Sequence, residues 1–191
     1  MDEISDTQKR ATAPDPKNDG AQEPRVEGFE RWRLRCTVNG AAVDLEVDPM
    51  ASAYDVLRDD LRLIGTKGAC LEGECGSCTI LIDGTPVTSC LVLAPQLEGR
   101  EVTTVEGLAK DERLHPVQES FIAAGAVQCG YCTPGLVVAA AALLEAHPNP
   151  TAQQVREGLE GNLCRCTGYT KIVDAVLGAA KKVETKAVVG G

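Results

Sequence analysis

Eight of the nine cysteines in this 191-residue chain fall into two groups of four. Cys70, Cys75 and Cys78 read C-x4-C-x2-C, and Cys90 follows with eleven residues between. Cys129 and Cys132 read C-x2-C, while Cys164 and Cys166 bracket a single arginine. Deprotonated thiols are metal ligands, and four of them in the first spacing form the ligand run of a plant-type [2Fe–2S] centre. The second spacing alone admits zinc as well as iron–sulfur. Its nearness to the first quartet favours a second redox centre. Two one-electron centres in one small chain suit electron transfer.

The surroundings of the first quartet agree. Gly68, Gly73 and Gly76 interleave with the cysteines, giving the backbone freedom to wrap a metal closely and point N–H groups at sulfur. A structural zinc site pairs one close C-x2-4-C with a second close pair, so x4 followed by x2 in a glycine-rich loop favours iron–sulfur over zinc or scattered buried thiols. The ninth cysteine, Cys36, falls on the apolar face of a strand pattern and reads as core. His115 and His147 each precede a proline and read as solvated or capping groups. Gln128 precedes Cys129 and carries no meaning alone. The chain has no dinucleotide or phosphate-binding glycine motif and no Ser/His/Asp or Cys/His set. It is equipped to carry electrons without transforming a substrate itself.

The elements that must hold these thiols follow from patterning. Residues 1–28 mix charged residues and proline, too few of them apolar to offset ordering entropy, and are expected to be disordered. Residues 32–38 and 43–47 alternate around Asn39-Gly40, the signal of a type I′ hairpin. Ser52 is placed to cap a short helix with Val56, Leu57 and Leu61 on one side. Strands are expected at 79–82, after the cysteine loop, and at 87–93, carrying Cys90, with a last one at 101–105. Hairpin, helix, cysteine loop and strands are the order of a small β-grasp domain, placed at 29–107.

Helices follow: 115–124, 134–146 with Thr133 as cap, one from the Thr151-x-x-Gln154 capping box to about 160, and 169–182. They make up a second domain at 108–183, with a frayed tail at 184–191. Two of these helices start just after a cysteine pair, so their positive ends converge on the second quartet and favour an anionic cluster. The chain has 28 acidic and 19 basic residues and a net charge of -9. That balance disfavours nucleic acid and anionic membrane surfaces as partners. The odd cysteine count, without an apolar leader or transmembrane stretch, points to a cytoplasmic protein with reduced thiols.

Three stretches together resemble a known family: GACLEGECGSCT at 68–79, QCGYCTPG at 128–135 and GNLCRCTGY at 161–169. The chain resembles, over about residues 31–180, the small iron–sulfur subunit of the molybdenum hydroxylases. These include the xanthine dehydrogenases, aldehyde oxidoreductases and carbon monoxide dehydrogenases. The resemblance implies an α+β fold, in which a ferredoxin-like β-grasp domain precedes a four-helix-bundle [2Fe–2S]-binding domain. It implies a large partner subunit holding molybdenum on molybdopterin and a medium one holding FAD, in a higher-order heteromer. Carried over by position, Cys129, Cys132, Cys164 and Cys166 would ligate the cluster nearest the pterin, and Gln128 and Cys166 would also touch the pterin. Cys70, Cys75, Cys78 and Cys90 would ligate the cluster on the flavin side. The complex's substrate would be a purine, another N-heteroaromatic or an aldehyde, with carbon monoxide as an alternative. Other readings of the residues are a free-standing two-cluster ferredoxin and a zinc-stabilised interaction module.

Overall fold

The computed structural model describes residues 30–189, with side chains in the last helix described up to Lys182. The tail expected at 1–28 lies outside the described residues. Two strands, β1 (Trp32–Val38) and β2 (Ala41–Val47), form the first hairpin. Asn39 and Gly40 turn it with φ of 53° and 79°, the pair of positive values that a type I′ turn demands. Leu34, Cys36 and Val38 alternate into the core, so Cys36 is a buried side chain, as its strand position implied.

The sheet is completed by β3 (Thr79–Ile82), β4 (Thr85–Thr88) and β5 (Glu101–Thr103), in the order β2-β1-β5-β3-β4. Only β1 and β5 run parallel; the other pairs are antiparallel. Asn39 locks the β1–β5 junction, its side chain accepting from the Thr104 N–H at 2.9 Å and donating to Thr104 Oγ1 at 3.0 Å.

β3 is buried along its whole length, which explains its unbroken apolar run. Ile80 and Ile82 face a core shared with Val56, Leu57 and Val102, and burial of a side chain such as Ile80 contributes about 1.5–3 kcal/mol. Leu81 points to the other face, onto Val138 and Ala142. The segment covering the first face starts as α1 (Ala53–Asp55), with a Ser52–Asp55 capping box, and continues as a π-helical turn over Val56–Asp60.

The second half holds α2 (Pro116–Ala123), α3 (Thr133–Ala146), α4 (Ala152–Gly158) and α5 (Thr170–Val189). Around a core of Val117, Phe121, Leu136, Ala140, Ile172 and Val176, α3 is apolar on nearly every side because it lies between β3 and the other helices. The Thr151–Gln154 capping box opens α4 as expected. His115 is the N-cap of α2, its Nδ1 accepting from the Val117 N–H at 3.3 Å, and His147 is the C-cap of α3.

Several element ends differ from the sequence expectation. The strand expected at 87–93 stops at Thr88, and Cys90 instead lies in a 3₁₀ turn, Ser89–Leu91. Ser89 keeps the β3 register for one more rung, its N–H and its hydroxyl both donating to the Cys78 carbonyl at 3.2 and 2.8 Å, and the chain then turns as the Val92 N–H closes onto the Ser89 carbonyl at 3.3 Å. Cys132 takes the N-cap position of α3, with Thr133 already helical. The last helix runs to Val189, beyond the expected end at 182. No described helix is long and apolar enough to cross a membrane.

Candidate iron–sulfur sites

The first quartet lies between the π turn and β3, with Cys90 returned to it by the Ser89 turn. Cys78 is buried, and Cys70, Cys75 and Cys90 are half-buried. Its sulfurs associate in twos: Cys70 with Cys75, and Cys78 with Cys90. Backbone donors converge on them as the glycine pattern implied. The N–H groups of Glu72 and Cys75 both donate to Cys70 Sγ at 3.4 Å, Ser77 donates to Cys75, and Gly73 donates to Cys90. Gly73, with φ of 81°, allows the tight wrap, because a Cβ there would lie 2.3 Å from a Leu91 methyl.

The second quartet lies where α3 and α5 begin, again as two pairs. Cys166 Sγ is 3.6 Å from Cys129 Sγ, and both residues are exposed. Cys132 pairs with Cys164, and both are half-buried. Gln128, next to the outer pair, is exposed as well.

The thiols respond unequally to these settings. Burial and the neighbouring Cys78 push Cys90 up to about 11, and burial with Cys164 alongside pushes Cys132 up to about 12. Burial also acts upward on Cys75, but donation from Ser77 and Cys70 outweighs it, and that thiol falls to about 7. Donation from Thr167, Cys166 and Cys132 likewise outweighs burial at Cys164, which falls to about 7. Each quartet therefore holds one thiol shifted toward its thiolate form and one shifted away from it.

This donor set fits [2Fe–2S] chemistry. Four thiolates share two irons in such a cluster, and each quartet divides into two pairs. N–H and O–H donors aimed at sulfur suit an anionic centre and tune its potential.

Comparison with known proteins is consistent with these two sites. Residues 36–109 match the family described as a 2Fe-2S iron-sulfur cluster binding domain, and residues 104–177 match a [2Fe-2S] binding domain. The nicotinate dehydrogenase small FeS subunit of Eubacterium barkeri is 44% identical over 78% of this chain and 95% of its own length. The chain belongs to the small iron–sulfur subunits of the molybdenum hydroxylases. The nicotine 6-hydroxylase small subunit of Paenarthrobacter nicotinovorans is 48% identical, over 82% of this chain and 94% of its own. A solved quinoline 2-oxidoreductase chain from Pseudomonas putida 86 superimposes with a TM-score of 0.79 at 45% identity, covering 82% of this chain and 98% of that one. As a member of this family the chain is the electron-transfer part of an oxidoreductase, with two [2Fe–2S] clusters.

Residues beyond the cysteines also hold the sites, and sequence reading left them without roles. Thr167 donates to Cys164 Sγ through both its N–H (3.4 Å) and its hydroxyl (3.1 Å). Tyr169, at φ of 67°, accepts from the Cys164 N–H at 2.7 Å. The Tyr131 hydroxyl donates to the Gly68 carbonyl, and Asn162 reaches across to Gly76. Their one signal in the sequence was adjacency to ligand cysteines.

Proposed function

We propose that Cys70, Cys75, Cys78 and Cys90 hold one [2Fe–2S] cluster and that Cys129, Cys132, Cys164 and Cys166 hold the other. The observation that carries this reading is the convergence of donors on ligand sulfurs in both quartets, on Cys70 from Glu72 and Cys75 and on Cys164 from Thr167, with the Cys129 and Cys166 sulfurs 3.6 Å apart. The first site belongs to a ferredoxin-type β-grasp domain at 29–107. The second belongs to a domain at 108–183 in which α2–α5 act as a four-helix bundle.

The exposure of Gln128, Cys129 and Cys166 supports a direction for the chain. This outer face meets the molybdopterin of a large subunit, with Gln128 and Cys166 touching the pterin, and the glycine-rich loop faces the FAD of a medium subunit. Bound clusters take the two electrons of a substrate oxidation one at a time on their way to FAD. The chain's own residues keep the sulfurs in register, aim donors at them and shield Cys78 and Cys132 from water. Relatives named for nicotinate, nicotine and quinoline support an N-heteroaromatic substrate for the complex. Reduced thiols in both quartets support a cytoplasmic location.

The test is metal analysis and spectroscopy of the complex purified with its partners. About four iron and four acid-labile sulfide per chain are expected, with two distinguishable reduced-cluster signals. Zinc, or a single cluster, would overturn the assignment. Cys166→Ser is expected to block reduction of both clusters by substrate while dithionite still reduces the glycine-loop cluster. Normal reduction of that cluster by substrate in the variant would refute the direction.

A further inference from the structure

The two cysteine loops are joined by a small set of hydrogen bonds. The Leu163 N–H donates to the Cys75 carbonyl at 2.9 Å, so a single hydrogen bond links a residue of one quartet to the immediate neighbour of Cys164 in the other. Beside it lies Asn162, a buried amide at 8% exposure. Its Nδ2 donates to the Gly76 carbonyl at 2.9 Å and to Thr79 Oγ1 at 3.0 Å. Gly76 and Thr79 flank the ligands Cys75 and Cys78. Thr79 Oγ1 donates in turn to the Gly76 carbonyl at 2.7 Å, closing a three-membered polar knot.

Both donors of that amide are met by protein groups of the opposite loop. Leu159 and Val155 anchor the end of α4, and β3 is held by β4 and β5. A buried amide that spends both its donors on the opposite loop is instead suited to holding the two loops at one separation.

We propose that Asn162 is a positioning residue for electron transfer between the two clusters, and that the route runs along Cys164, Leu163 and the Leu163–Cys75 hydrogen bond. This inference rests on the ligand assignment above. Along this route one electron leaves the helical-side cluster, which is oxidised, and reduces the cluster of the glycine-rich loop; no proton moves and no bond forms or breaks. The amide keeps the hydrogen bond short by fixing the Gly76 carbonyl, one residue from Cys75.

The test uses the complex with its partner subunits and compares wild type with Asn162→Ala and Thr79→Val. The second variant removes both bonds of the Thr79 hydroxyl and leaves the Asn162–Gly76 bond in place. Iron and sulfide content is measured first, then the magnetic splitting between the two fully reduced clusters, then the rate at which the second cluster follows reduction of the first. With both clusters retained, Asn162→Ala is expected to lose or weaken the splitting and slow the inter-cluster step, and Thr79→Val to do the same to a smaller extent. Unchanged splitting and rate in cluster-loaded Asn162→Ala, even with a lower Tm, would overturn the proposal and leave Asn162 a stabilising residue only. If Asn162→Ala does not retain its clusters, Thr79→Val decides: wild-type splitting and rate there overturn the proposal. A wild-type complex without two clusters would instead overturn the ligand assignment, and the inference with it.

Discussion

Gly135→Ala is a sharp test of how closely the two halves approach. Gly135 is the third residue of α3, and a Cβ built on it would lie 2.2 Å from the Gly76 carbonyl oxygen. Ordinary carbon–oxygen contacts begin near ~3.3 Å, so helix and loop must part by about 1 Å. The obstacle is backbone and cannot rotate away. Overpacking of this kind costs about 1–3 kcal/mol, against a helix-propensity gain for alanine of at most ~1 kcal/mol. Setting the full gain against that cost leaves a net loss of up to about 2 kcal/mol, or up to about 8 °C in Tm for a chain of this size. The assay is thermal loss of cluster absorbance and far-ultraviolet dichroism, at one scan rate. Gly168→Ala is the control, since its φ of 65° is strained for alanine but its surroundings are open. It should cost about 1–2 kcal/mol, from the left-handed backbone alone, and leave the loop contact intact. A Gly135→Ala protein more stable than wild type would refute the close approach.

Three further outcomes are expected. Cys36→Ser buries a hydroxyl in an apolar core, costing about 1–3 kcal/mol in denaturant unfolding, with iron content unchanged; loss of iron would contradict its role as core. Thr167→Val removes a donor from Cys164 Sγ and should lower the potential of the helical-side cluster, because donors stabilise its more negative reduced form; spectroelectrochemical titration should find the other cluster unmoved. The Arg33 hydrogen bond and charge hold the exposed Asp44 carboxyl below its usual value of 3.8. A carboxylate lowered in the folded state stabilises only while ionised, so any gap between wild type and Asp44→Asn should close as pH falls through that depressed value. A gap persisting in stronger acid would count against the pair.

What was legible in the sequence was local. The turn at Asn39-Gly40, the caps at Ser52 and Thr151, and the ligand spacings each depend on a few consecutive residues. The strand expected through Cys90 ends early because the chain folds into a 3₁₀ turn, the Val92 N–H closing onto the Ser89 carbonyl, which returns Cys90 to the cysteine loop. The π turn at Val56–Asp60 and the left-handed Tyr169 carry no composition signal, since either sequence is compatible with ordinary helix. The division of the quartets into pairs, and the roles of Asn162 and Leu163, depend on residues brought together only by the folded chain.

The contact between Asn162 and Gly76 spans 86 residues of chain. At a synthesis rate of about 5–20 residues per second, roughly 4 to 17 seconds separate the emergence of the two partners. For most of that interval, from Cys90 onward, the first quartet has all four thiols made while the Gly76 carbonyl is still unmet. A ribosome pausing between the two halves would lengthen the exposure of those thiols to oxidants in direct proportion.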